Sequence, residues 1–321
     1  MIDIIVIGGG AAGMTAALYA KRSGKTVKIF EKESFGGQIA SSPKVENFPS
    51  IKEISGLELS NNMFEQIMDL GVEFECEDVL EIKKENDCFT VITDYNTYLS
   101  KAVIIAAGVK HRTINIPFEE ELVGKGVSYC AVCDGAFYKG KDVAVIGDAN
   151  TALQYTLMLS DICNKVYLCM LFDKFFADQT LVDRLLEKNN IVVTKEIALK
   201  EFIHTEELKG LKFENTKTNE LVSFDVDACF IAIGQVPNNE RYQNLVDLDE
   251  KGYIISSDTT TKTAGIYVAG DCRTKHVRQL TTAVGDGAIA AMNAVNYINN
   301  SKEQKWFFRE KIILELLALV L

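Results

Sequence analysis

The sequence predicts an α/β fold of two βαβ-based domains, one inserted into the other, and three observations predict it. The chain has 321 residues, too many for one hydrophobic core and about right for two domains. A β-branched run ending in three glycines opens the sequence, and a helical pattern follows it. A second run of the same kind starts near Asp142, so a domain-sized pattern recurs weakly along the chain.

The elements can be read in order. Ile2–Ile7 is a strand that stops at Gly8-Gly9-Gly10, Ala11–Arg22 is a helix closed by Ser23-Gly24, and residues 26–30 form a second strand with Glu31 at its end. Gly8, Gly10 and Gly13 stand at G-x-G-x-x-G spacing. In that motif the glycines allow a tight turn, close backbone approach to a pyrophosphate and close helix–strand packing. The helix N-terminus then faces the phosphates, and Glu31, about twenty residues on, can bond a ribose hydroxyl. A glycine-rich turn without a ligand is the alternative, and the strand, helix and acidic residue in place argue against it. In the second unit, residues 143–146 are a strand, Gly147-Asp148-Ala149-Asn150-Thr151-Ala152 a loop, the stretch to about Ser160 a helix, and residues 165–171 another strand. Both units are therefore Rossmann-like. Polar, proline-marked crossings at residues 110–117 and 237–245 assign 1–112 and 241–305 to the first domain, 113–240 to the insert and 306–321 to a C-terminal tail.

Composition narrows the function. Lys and Arg total 34 against 45 Asp and Glu, a net charge of −11, which disfavours nucleic acid as a partner. Apolar residues at 47% and charged residues at 25% suit a globular chain and exclude disorder or a disulfide-stapled mini-protein. Residues 312–321 carry one charge, Glu315, but the run is far short of a membrane span. The opening MIDIIVIGGG has no basic n-region, so a reducing, cytoplasmic compartment is expected. Among eight cysteines only Cys130 and Cys133 form a motif; Cys76, Cys88, Cys163, Cys169, Cys229 and Cys272 are scattered. The C-x-x-C spacing lets a disulfide close over the first turn of a helix, where the dipole lowers thiol pKa, and Asp134 can deliver a proton to a leaving thiolate. A zinc half-site or a structural bridge is the alternative. No metal site is expected, since zinc needs two further ligands and His111, His204 and His276 form no pair.

Gly8–Gly13, Gly36-Gly37-Gln38, Cys130-Ala131-Val132-Cys133-Asp134-Gly135, Ala232-Ile233-Gly234, Gly270-Asp271 and Arg278-Gln279 occur in this order. Together they resemble the low-molecular-weight thioredoxin reductase family, over the chain ahead of its tail. The resemblance implies a homodimeric flavoprotein with FAD in the first domain and a redox-active disulfide in a smaller, inserted NADPH-type domain that rotates during turnover. It implies FAD contacts from Gly8, Gly10, Gly13, Glu31, Gly37, Gln38, Asp271, Arg278 and Gln279. It also places Cys133 against the flavin, Cys130 as the attacking thiol, Asp134 beside them and a thioredoxin-like protein as acceptor.

The departures from the family pattern concern NADPH. The family has a glycine-rich second loop, a His-Arg-Arg run after the next strand and a further Arg, which grip the 2′-phosphate. Here the loop carries Asp148 and Ala149, the run reads Met170-Leu171-Phe172, and the later position is Phe176. A charge-assisted contact to phosphate is worth about 1.5–3 kcal/mol, so losing two or three would weaken NADPH by roughly three powers of ten or more. NADPH is therefore not expected as reductant, and no acidic residue precedes Asp173 to favour NADH. This pattern resembles the ferredoxin-dependent flavin thioredoxin reductase branch, with ferredoxin or a flavodoxin-like protein as donor. A related branch holds a second FAD in the former NADPH site, where Tyr155, Phe172, Phe175 and Phe176 could stack on the ring. Arg273, Lys275, His276 and Arg278, joined by Lys110, His111 and Arg112, are a candidate basic patch for an acidic donor; a solvated loop with Arg278 serving FAD is the other reading. Trp306, Phe307 or Phe308 could cover the flavin, or the tail could pack as a helix on the dimer. Three rival readings stay open: an NAD(P)H-dependent thioredoxin reductase with unusual contacts, a diflavin enzyme, and a non-enzymatic flavin redox sensor.

Overall fold

The computed structural model describes residues 1–40, 42 and 45–320, with side chains up to residue 300. β1 (Ile2–Ile7) leads through α1 (Ala11–Arg22) to β2 (Val27–Phe30), and α2 (Gly56–Asp69) leads to β3 (Glu73–Glu75). These strands pair in parallel. A meander of β4 (Val79–Glu85), β5 (Cys88–Thr93) and β6 (Thr97–Ile105) completes that side of the sheet. β6 is long enough to serve twice. Its first residues pair antiparallel with β5, and it also runs parallel to β1.

After β7 (Lys110–His111) come β8 (Val127–Ser128), α3 (Ala131–Asp134), β9 (Asp142–Ile146), α4 (Asn150–Ser160), β10 (Lys165–Cys169), α5 (Gln179–Leu186) and β11 (Ile191–Thr194). An antiparallel trio, β12 (Ile197–His204), β13 (Leu208–Asn215) and β14 (Leu221–Asp225), precedes β15 (Ala228–Ile231). A second parallel sheet has the order β11-β10-β9-β15-β8. β16 (Gln235–Val236) pairs antiparallel with β7, so the chain re-crosses beside its own exit. β17 (Ile266–Val268) then joins the first sheet along β6, and α6 (Leu280–Val320) follows. The result is an α/β fold with two Rossmann-like domains.

Both central strands are apolar on both faces, as a covered parallel strand must be. Ile4 and Val6 pack under α1 and α6, while Ile5 and Ile7 face the opposite core beneath Phe89 and Tyr242. Alanines at 12, 16, 17 and 20 of α1 meet Ala290, Ala291 and Ala294 of α6 in one core. The approach is close: a Cβ at Gly287 would lie 2.3 Å from the Ala12 carbonyl oxygen. In the second sheet, Val143 and Val145 face one core and Ala144 and Ile146 the other.

One expectation is corrected. The strand expected over 165–171 ends at Cys169: the Met170 N–H makes a last bond to the Thr194 carbonyl, and the chain then turns back over the β9–α4 loop. The α6 backbone runs on through the stretch read as a C-terminal tail, to Val320. The proposed roles of Trp306, Phe307 and Phe308 lie outside the described side chains. Among the described residues no helix is long and apolar enough to cross a membrane.

The candidate basic patch is also corrected. Asp286 on α6 accepts from Arg273 Nε at 2.9 Å and Nη2 at 2.8 Å, from Lys275 Nζ at 2.9 Å and from the Gly270 N–H at 3.1 Å. Arg273 and Lys275 are thus spent on tying the β17–α6 connection to α6. Lys110 pairs with Glu33 at 2.7 Å, and burial holds His111 neutral, its pKa pushed down to about 4. Burial alone would raise the Asp286 carboxyl, but Arg273 and Lys275 outweigh it and hold the group below the usual carboxylate range. A depressed carboxyl contributes stability at neutral pH that is lost as pH falls through its folded-state value, here below about pH 4. Asp286→Ala removes the ion pair of Arg273 and leaves Lys275 with Asp271 at 3.7 Å; it is expected to cost about 3 kcal/mol in denaturant melts, a deficit that shrinks towards acid.

Candidate active site

The first cradle is made by the end of β1. Gly8 sits at φ +108°, and its N–H bonds the Phe30 carbonyl at 2.8 Å. A Cβ on Gly13 would stand 1.8 Å from the Gly8 oxygen, so only glycine lets α1 start against the strand end. Gly10 caps α1, and a Cβ there would meet nothing. That space lies before a helix N-terminus, where backbone N–H groups attract an anion. At its rim Glu31 accepts the Gly9 N–H at 2.7 Å, and the Gly36 N–H bonds the Gly9 carbonyl at 2.9 Å. Gly37, at φ +57°, comes within reach of the Gly10 backbone.

Other expected residues flank this space. Gly270 abuts Ala12 of α1, which brings Asp271 to the same end of the helix. Asp271 Oδ1 is buried with no hydrogen-bond partner, Lys275 Nζ being 3.7 Å away, and burial raises the carboxyl's pKa. A buried oxygen without a partner suits a ligand that brings a donor. Arg278 lies over the Tyr253 ring at 4.2 Å and donates to the Asp271, Arg273 and Lys275 carbonyls. Gln38 donates to the Val109 carbonyl, and Gln279 accepts from Asn47.

The second cradle repeats the first, bond for bond. Gly147 N–H bonds the Cys169 carbonyl as Gly8 bonds Phe30, and Phe176 N–H bonds Asp148 as Gly36 bonds Gly9. The bridge Gly10–Gly36 has its counterpart in Ala149–Phe176. Ala149 therefore occupies the Gly10 position, Phe176 the Gly36 position and fully buried Met170 the Glu31 position. A methyl group stands where a pyrophosphate needs room, and a thioether where a ribose needs an acceptor. A side-chain clamp closes over the start of α4: the Asp178 N–H bonds Asn150 Oδ1 at 2.8 Å, and Asn150 Nδ2 bonds Asp178 Oδ2 at 3.1 Å. Asp148 and Asp178 add negative charge where phosphates would bind. Of the four aromatics expected to cluster, Tyr155 and Phe175 pack on the core; only Phe172 and Phe176 face outward, edge to face at 5.4 Å.

Cys130 and Cys133 are joined as a disulfide around the start of α3, and the Cys133 N–H points at Cys130 Sγ at 3.2 Å. Ser128 Oγ donates to Asp134 Oδ2 at 2.6 Å and accepts the Cys130 N–H at 3.0 Å. Asp134 Oδ1 is buried and unpartnered, and burial raises its pKa despite the Ser128 bond. A cleft of about 600 Å³ reaches this carboxyl between Ser128, Phe137 and Tyr138 on one side and Glu53, Ser55 and Glu58 on the other. The other cysteines are free thiols, and burial pushes Cys163 up to about 11 and Cys272 up to about 12. Such thiols are poor nucleophiles. Sequence reasoning missed Ser128, the Asn150–Asp178 clamp and Asp286; only Ser128, two residues ahead of Cys130, left a local signal.

The description "pyridine nucleotide-disulphide oxidoreductase" matches residues 2–287. A thioredoxin reductase of Bacillus subtilis is 40% identical over 304 residues, covering 94% of this chain and 96% of that protein. The crystal structure of thioredoxin reductase from Streptococcus pyogenes is 37% identical, covers 94% of this chain and 99% of its own, and superposes with a TM-score of 0.90. Lactococcus lactis thioredoxin reductase in its FR conformation, 36% identical over 94% of this chain and all of its own (100%), gives 0.65. Gly10→Val starts a side chain in the open cradle, with its Cβ meeting no atom beyond its chain neighbours within 4 Å. It is expected to abolish the flavin absorbance of the purified protein while leaving the melting midpoint of flavin-stripped protein unchanged.

Proposed function

This chain belongs to the pyridine nucleotide-disulphide oxidoreductases, and from that premise we propose that it reduces a thioredoxin-like protein with electrons from ferredoxin or a flavodoxin-like donor, not from NADPH. It is a flavin disulfide oxidoreductase of thioredoxin reductase type. One observation carries the choice of donor: the second cradle keeps the backbone of the first but fills it with Ala149, Met170 and Phe176 and closes it with Asp178. The likeness of its relatives supports the acceptor; the filled cradle supports the donor. We place a FAD domain at 1–112 and 241–305 and an inserted domain at 113–240, joined through the β7–β16 ribbon. Exposed Tyr19, Ile289 and Met292 on α1 and α6 supply apolar surface for a homodimer, and free thiols suit a reducing, cytoplasmic setting.

FAD suits the first cradle: Gly8, Gly10, Gly13 and Gly37 would flank its pyrophosphate and Glu31 its ribose, with Gln38, Asp271, Arg278 and Gln279 as further contacts. When bound, it supplies the two electrons that open the disulfide. With two protons, the Cys130–Cys133 bond becomes two thiols. The Cys130 thiol passes its proton to Asp134 and attacks the substrate disulfide as the thiolate, forming a mixed disulfide and expelling a thiolate, to which Asp134 returns the proton. Attack by the Cys133 sulfur on Cys130 Sγ re-forms the internal bond, and the Cys133 proton goes to the second substrate sulfur as it leaves. Burial suits Asp134 to this role, because it raises the carboxyl's pKa and so favours the protonated form over an ordinary surface carboxylate.

A second reading places another FAD against exposed Phe172 and Phe176, with Lys174 Nζ 4.8 Å above the Phe176 ring. Under the first reading, heat releases one FAD per chain, not two. Excess NADPH or NADH, mixed anaerobically, leaves the flavin absorbance unchanged, whereas reduced ferredoxin bleaches it and drives thioredoxin reduction that Cys133→Ser abolishes. Prompt bleaching by either nucleotide would overturn the donor, and turnover surviving in Cys133→Ser would overturn the disulfide pathway.

A further inference from the structure

We propose that Ser128 is the positioning residue for Asp134: its hydroxyl fixes the carboxyl beside the cysteine pair and restrains its affinity for the proton it transfers. The proposal rests on the reading of Asp134 as the proton donor. Two contacts converge on this one hydroxyl, and its backbone is fixed in a sheet. It accepts the Cys130 N–H, and it is the only hydrogen-bond donor to Asp134 Oδ2 among the described residues. Ser128 is held in β8, where it pairs with Phe230 of β15, and is 5% exposed.

The surroundings leave this task to Ser128. The titratable groups around Asp134 are Cys130 and Cys133 on its own turn, Tyr138 just beyond, Tyr155 on α4, and Glu53 and Glu58 across the cleft. None of these is a cation, and among the described residues no ion pair offsets the burial of the carboxylate. A serine oxygen carries one proton and two lone pairs. With the Cys130 N–H on one lone pair, its proton is left to donate to the carboxylate. Ser128 therefore supplies the hydrogen bond that the charged form of Asp134 needs, and alanine does not.

The test is the pH dependence of iodoacetamide alkylation of the dithiol-reduced holoenzyme, read by mass spectrometry. Beside the inflection set by the thiol's own ionisation, the wild type is expected to show a second one that Asp134→Asn removes. Ser128→Ala should move that second inflection up by about one unit or more, since it removes a hydrogen bond to the charged form. Ser128→Thr keeps the hydroxyl and should leave it in place. An unmoved second inflection in Ser128→Ala, or an equal shift in Ser128→Thr, would overturn the role of Ser128 while leaving Asp134 as donor. Two inflections persisting in Asp134→Asn would instead remove the reading of Asp134 itself.

Discussion

The architecture turns on how closely a helix N-terminus can approach the end of a parallel strand. At the first cradle the approach is limited by backbone alone: a Gly13 Cβ would overlap the Gly8 oxygen at 1.8 Å. That contact aims the first turn of α1 at the space in front of Gly10, and Glu31, Gly37 and Asp271 are arranged around the same space. Remove the contact and the helix backs away, taking with it the packing of α6, which touches α1 through Gly287 and Ala12. Anion binding and core packing thus share one constraint.

The second cradle meets the same constraint with different side chains. Ala152 stands at the Gly13 position, and a Cβ on Gly147 would lie 2.8 Å from the Ala152 Cβ, so Gly147 is still required by the fold. The room and polarity of the two cradles differ. Met170 is core where Glu31 is rim, and half-exposed Phe176 stands at the place of buried Gly36. The second cradle keeps its backbone because the sheet needs it.

Much of this was legible in the sequence because it is local. The bounds of α1 follow from Gly8–Gly10 and Ser23-Gly24, and the end of α4 fell at Ser160 as read. The Met170, Ala149 and Phe176 substitutions were visible, though their pairing across two loops was not. Long-range contacts stayed hidden. Nothing near residue 273 announces that Asp286 lies opposite, so Arg273 and Lys275 read as a free patch when they are bound inside the fold. Tyr155 and Phe175 read as stacking surface, but helical periodicity and a turn bring them to the core. Nothing in the sequence singles out Asp178, and only the returning loop carries it to Asn150.

The central claim is that the second cradle no longer accepts a pyridine dinucleotide. Its most direct measurement is an equilibrium titration of NADPH with the oxidised holoprotein, followed by nicotinamide fluorescence and read independently of turnover. The expected result is no saturable change at any concentration below millimolar. Saturable binding in the micromolar range would contradict the claim, because Met170, Leu171, Phe172 and Phe176 bring no positive charge to a phosphate.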